Sequence, residues 1–174
     1  MGKLDGEGMS MKHPLWLAQR TNAALVRDLL PVRPRNSHKG DYGKILLLCG
    51  STGLTGAAIL AANAAVRSGS GLVYLGVPES IYPICAARCL GPVVFPLPCD
   101  DSGRLSLSAK PEIERRMEHA DAAVLGPGLG RSEELTALVH WLLKSCHKPL
   151  VLDADGINAL EGHIDVLRGT ACPV

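Results

Sequence analysis

The stretch KILLLCGSTGLTGAA, residues 44–58, decides the fold. It opens with a run that is apolar from Ile45 to Cys49 and shows no polar alternation, the pattern of a strand covered on both faces. Gly50, Gly53 and Gly56 interrupt the run, and AAILAANAAVR at 57–67 then continues as small and apolar residues over helical length. Buried strand, glycine turn and helix in that order make the first half of a β-α-β unit, the connection that parallel strands require.

The cycle repeats downstream. LVYLGV at 72–77 is a second apolar run, followed by a helix expected over 79–88, a weaker strand at 93–96 and turn residues at 99–103. A helix with proline at its start is expected over 111–119, a strand at 122–125 and a tight loop at 126–130. Residues 132–145 carry Leu135, Leu138, Val139, Leu142 and Leu143 on one helical face; a strand at 150–152 and a short helix over 155–161 complete the series. The fold class is therefore α/β with a mostly parallel sheet and right-handed crossovers. Upstream, Leu15, Ala18, Asn22, Leu25 and Leu29 trace a weaker helix that Pro31 and Pro34 end. Residues 1–10, glycine-rich and charged, are expected to be a flexible tail, with the domain running over 11–174.

Composition narrows the function. Eighteen Lys and Arg against seventeen Asp and Glu leave +1, too little positive charge to hold a nucleic-acid backbone or an anionic membrane. An aromatic content of 3% leaves few side chains for stacking on bases. The apolar runs are short and interrupted, so none spans a bilayer. Cys85 and Cys89 are spaced to share a helix face, but no second Cys/His pair completes a zinc site, and the six cysteines read as reduced thiols of a cytosolic protein.

In a parallel sheet, ligands bind beyond the carboxyl ends of the strands, which directs attention to the loops there. At 49–58, Gly53 and Gly56 let a phosphate-bearing cofactor approach the backbone, and Thr55 is a candidate N-cap; a purely structural turn accounts for the pattern equally well. GPGLG at 126–130 packs three glycines between a buried strand and a helix, a shape suited to a phosphate or sugar edge. At 151–158, Asp153, Asp155 and Asn158 follow an apolar strand, where carboxylates can hold Mg²⁺ or a ribose, or serve only as caps and backbone acceptors. Ahead of the first strand, Lys39 can meet a phosphate within the loop 36–44, although such a loop is also ordinary solvated surface. The other histidines are expected to be structural, and no nucleophile–base triad is present.

In order, HKGDYG at 38–43, Gly50-Ser51 with Thr55-Gly56-Ala57, AAVRSGSGLV at 64–73, GPGLG at 126–130 and DADGINAL at 153–160 resemble successive motifs of the NAD(P)H-hydrate dehydratase family. The resemblance implies a ribokinase-like three-layer α/β/α sandwich, incomplete at its C-terminus, in a cytoplasmic, homo-oligomeric lyase. It implies ADP or ATP as co-substrate, Mg²⁺ as cofactor and the hydrated form of NADH or NADPH as substrate. Phosphorylation of the hydrate's hydroxyl makes it a good leaving group, and elimination restores the ring double bond. Ala57 and Gly130 are implied to touch the dinucleotide, Gly128 to shape its loop, and Asp155 and Asn158 to lie on the substrate side. Lys39, Gly53 and Gly56 are the candidates for cofactor binding. The family's later Thr-Pro-His-Pro-Gly-Glu, Lys-Gly and Gly-Thr-Gly-Asp motifs do not occur in these 174 residues, so the chain is expected to lack the catalytic base and turnover. A non-catalytic dinucleotide binder and a ribokinase-type sugar or vitamin kinase are the alternatives.

Overall fold

The computed structural model describes residues 21–30 and 32–174. The expected tail at 1–10, and Leu15 and Ala18 of the expected upstream helix, lie outside them. The remainder of that helix forms as α1, Ala23–Leu29, where the Asn22 side chain accepts the Leu25 N–H at 2.9 Å. The chain divides into two units, the first ending at Ser37 and containing α1, the second running His38–Val174.

The second unit holds the sheet. Its strands are β1 (Lys44–Leu48), β2 (Leu72–Pro78), β3 (Val93–Leu97), β4 (Ala122–Leu125) and β5 (Leu150–Leu152). The helices between them are α2 (Thr55–Arg67), α3 (Tyr82–Arg88), α4 (Lys110–Glu118) and α5 (Glu133–Ser145), with α6 (Asp155–Asn158) after β5. All pairings are parallel and the order is β3-β2-β1-β4-β5. β1 is central and apolar from Ile45 onward because both of its faces are covered: Leu46, Leu47, Leu48 and the following Cys49 are each at most 1% exposed.

The side chains of β1 divide between two cores. Leu47 and Cys49 pack with Ala58, Ala62 and Ala65 of α2 and with Cys85 of α3. Leu46 and Leu48 pack on the other face with Ile113 of α4 and with Leu135, Leu138, Val139, Leu142 and Leu143 of α5. Strands are added in one direction from β1 to β3 and in the other from β4 to β5. Crossovers of constant hand must then place their helices on opposite faces, which gives three layers. Each fully buried leucine contributes roughly 1.5–3 kcal/mol relative to leaving it exposed.

Several element boundaries shift from the expected ones. Helix α3 begins at Tyr82 rather than Glu79, because Glu79 N–H is drawn to Leu97 O (2.9 Å) and the turn closes through Ile81 N–H to Pro78 O (3.0 Å). Strand β3 extends to Leu97, paired along its length with Tyr74–Pro78. The last helix stops at Asn158 and gives way to tight turns, Leu160 N–H to Ile157 O and Glu161 N–H to Asn158 O. β5 lies at the sheet edge; Val151 is 60% exposed there, while Leu150 N–H donates to Pro173 O at 2.9 Å.

Candidate functional site

β1 and β4 are neighbours whose onward connections leave in opposite directions, so their carboxyl ends form a topological switch point, the place where a crevice opens in such sheets. The two glycine-rich loops singled out from the sequence emerge side by side at this crevice. Gly50 N–H donates to Pro127 O and the Ser51 hydroxyl donates to Gly128 O, both at 2.8 Å, while Gly126 N–H reaches Leu48 O at 3.2 Å. Ser51 is only 2% exposed, so its hydroxyl is committed to joining the loops.

Gly128 shows why no larger residue fits. Its φ is +68°, and a methyl group there would come within 2.7 Å of the Ala57 Cβ and 3.1 Å of Leu54 O. Ala57, in the first turn of α2, therefore faces Gly128 directly, and the small size of each is required by the other. Gly53 and Gly56 stand further out, with nothing within 4 Å of where a Cβ would be, so the approach to their backbone is open. Thr55 is not an N-cap: it is the first helical residue, Leu54 occupies the cap position, and no side chain accepts from the helix start. The first-turn N–H groups of α2 consequently have no side-chain acceptor at the crevice.

The third loop is tied to the second. Asp155 accepts Gly130 N–H on Oδ2 at 2.8 Å and the Asn158 amide on Oδ1 at 2.9 Å. Gly130, Asp155 and Asn158 share a cavity of about 490 Å³ with Arg131, Ser132 and His163. Ser132 caps α5 by accepting Leu135 N–H at 3.0 Å. Beneath the rim, burial and then the nearby Asp153 carboxylate push the Cys49 thiol far above its usual range, which makes it unreactive.

Four of the candidates thus converge in two connected places, Ala57 against Gly128 in the crevice and Asp155 with Asn158 in the adjoining cavity, and Gly130 links them. Lys39 is not brought there. It lies exposed on the 3-10 turn Lys39–Tyr42 ahead of β1, at the amino end of the sheet, and a five-residue strand separates the two rims by about 16 Å. Sequence reasoning missed Ser51 as the tie between loops, and it missed Arg104, which reaches the Gly130 loop from just beyond the turn residues at 99–103. It also left His163 as purely structural. Among the described residues, no three His, Cys, Asp or Glu side chains group around one point, and Asp155 gives both oxygens to protein donors.

A family profile described as NAD(P)H-hydrate dehydratase matches residues 45–174, the part of the chain that builds the sheet and its loops. The chain belongs to the NAD(P)H-hydrate dehydratase family. A bifunctional NAD(P)H-hydrate repair enzyme of Moorella thermoacetica is 37% identical over 178 aligned positions, covering 99% of this chain and 34% of that protein. Among solved structures, an ADP/ATP-dependent NAD(P)H-hydrate dehydratase of Bacillus subtilis, co-crystallised with ATP and Mg²⁺, superposes with a TM-score of 0.60 at 29% identity, covering 84% of this chain and 48% of that one. A ribokinase-like protein of Enterococcus faecalis superposes with a TM-score of 0.69 at 22% identity, covering 82% of this chain and 47% of that one, a likeness of fold alone. The chain spans about a third of the length of the curated relative from Moorella and about half of these solved structures. The ribokinase-like α/β fold is shared with them.

Proposed function

We propose that these residues bind the hydrated form of NADH or NADPH as the substrate of a nucleotide-dependent dehydration, with ADP or ATP as phosphoryl donor. One observation carries the reading: the bond between Ser51 and Gly128 O joins the two glycine loops at the switch point, and Gly130 at the end of the second loop lines the adjoining cavity. The open start of α2 and the loop backbone offer N–H groups to the phosphates. The close contact of Ala57 with Gly128 sets how near the two loops lie, and Gly53 and Gly56 admit the nucleotide side. Asp155 and Asn158 hold Gly130 in place at the substrate end.

The contribution of this chain is orientation. Phosphoryl transfer to a ring hydroxyl depends chiefly on holding donor and acceptor in line, and loops fixed before binding supply that at little cost in ordering. Asp155 is engaged on both oxygens and is not free to act as a base.

Isothermal titration with NADH hydrate, NADH and ADP tests this. Binding of the hydrate in preference to NADH is the expected result. Absence of hydrate binding by a folded chain rejects the substrate assignment.

The reading extends to assembly and setting. α2 is apolar around most of its circumference, with Leu60 73% exposed, which is the surface a second copy would cover in a homo-oligomer. All six cysteines are free, as suits a reducing cytoplasm. No helix among the described residues is long and apolar enough to cross a membrane.

A further inference from the structure

The segment after β3 crosses the carboxyl rim. β3 is at one edge of the sheet, yet this segment touches the loops after β1 and β4. Cys99 and Leu105 form an antiparallel bridge, Asp100 N–H donates to Arg104 O at 2.8 Å, and Thr52 N–H donates to Gly103 O at 3.0 Å. At its far end Leu107 N–H is held by Glu134 of α5 at 2.7 Å. The strap is therefore anchored on both sides of the site, and at its tip stands Arg104.

The Arg104 guanidinium makes two bonds in different directions. Its Nε donates to Asp100 Oδ2 at 2.9 Å and its Nη1 donates to Arg131 O at 2.6 Å, while its Cδ lies 3.3 Å from where a Gly130 Cβ would be. Asp100 neutralises the charge, so the geometry does not suit Arg104 to receiving a substrate phosphate. It suits fixing a loop. Gly130 N–H is held by Asp155 and Arg131 C=O by Arg104, so the peptide between them is pinned from both sides. Gly126, Gly128 and Gly130 all have positive φ, and a loop of such residues would otherwise sample many conformations.

We propose that Arg104 is a positioning residue for the dinucleotide loop: by clamping Arg131 O it holds the Gly126–Gly130 backbone in its binding shape before the ligand arrives. The planar guanidinium fork is what allows one side chain to hold Asp100 and Arg131 O together. The inference rests on reading the cleft as the dinucleotide site, and its test separates the two.

Hydrogen exchange of the unliganded chain, followed at 126–132, reads the clamp without any ligand. R104A is expected to speed exchange there while the melting temperature stays near that of the wild type, because the guanidinium is partly exposed. Titration with NADH hydrate is expected to show affinity reduced about tenfold in R104A, the size of one lost charge-assisted hydrogen bond. R104K, with charge but no fork, is expected to recover only part of that loss. Unchanged exchange at 126–132 in R104A overturns the clamp, as does affinity equal to wild type in either variant. If R104A fails to fold, R104M, which keeps an apolar stem but donates no hydrogen bond to Arg131 O, provides the same exchange comparison. A wild-type chain that binds no hydrate overturns the substrate assignment, and the exchange data still decide the clamp.

Discussion

Both rims of the sheet are rich in glycine, and only one of them is open. At the amino rim, Gly71 N–H donates to both Tyr42 O (3.0 Å) and Gly43 O (3.1 Å), Leu72 N–H donates to Gly43 O, and Lys44 N–H is held by Asp121 Oδ2 at 2.8 Å. A methyl group on Gly71 would overlap the Lys39 carbonyl. Glycine there lets two segments of backbone meet and leaves no space between them. At the carboxyl rim, Gly128 also meets a neighbour, but Gly53 and Gly56 face open space and Gly130 borders a cavity. A run of glycines therefore marks close backbone approach at either rim. Only the direction of the strands tells which run faces a ligand.

The contrast is broken or sharpened most severely by paired Gly→Ala substitutions. G71A is expected to destabilise the chain by about 3–4 kcal/mol, since backbone must move to relieve the overlap. G56A meets nothing within 4 Å and sits in the first turn of α2 without a positive φ, so it is expected to be neutral or to stabilise by up to about 1 kcal/mol. Urea denaturation of the two variants measures the difference. Equal effects would mean that the rims are not distinct in packing.

G128A comes next. Its positive φ and the contact of 2.7 Å with Ala57 Cβ predict a loss of about 1–3 kcal/mol, with relief available through small shifts of the α2 start. Its larger effect is expected on ligand: the loop is displaced from Ser51, and hydrate binding should be lost in titrations made well below the melting temperature. Retained binding in a folded G128A protein would remove this loop from the site.

The sequence made the sheet legible because its core strands are continuous apolar runs between turn residues, and the helix α5 is legible from a single apolar face. The carboxyl-rim loops were legible as glycine clusters at strand ends. Chain order alone places Lys39 ahead of β1, hence at the amino rim, so its separation from the other candidates follows from topology rather than from side-chain chemistry. Ser51 and Arg104 were not legible. Ser51 acts on a residue 77 positions away and Arg104 on one 27 positions away, and nothing local distinguishes a serine or arginine with such a partner from one without. Thr55 fails as a cap for a related reason: Leu54 takes up the non-helical geometry one residue earlier, with φ −119° and ψ 28°.

The smallest expected effect is on acid stability and concerns the strap that ties the carboxyl rim together. Burial opposes ionisation of Asp100, but the backbone N–H and guanidinium of Arg104 and the Ser102 N–H outweigh it and hold the carboxyl below its usual value of 3.8. A carboxyl whose folded pKa is depressed contributes stability that is present above 3.8 and is lost as pH falls through the lower folded value. D100N keeps an oxygen for Ser102 N–H and Arg104 N–H, both at 2.9 Å on Oδ1, and loses the ionic partner of Arg104 Nε. Its deficit relative to wild type should therefore be constant at neutral pH, shrink as the medium is acidified past the usual carboxylate range, and vanish once Asp100 is protonated. Because the pair is partly exposed, the deficit should stay under about 1 kcal/mol and fall with added salt. A deficit that persists at the acid end would assign the strap's stability to the neutral hydrogen bonds of the Asp100 turn. The amino rim, pinned by Asp121 on Lys44 N–H, should show no response to D100N in hydrogen exchange at any pH.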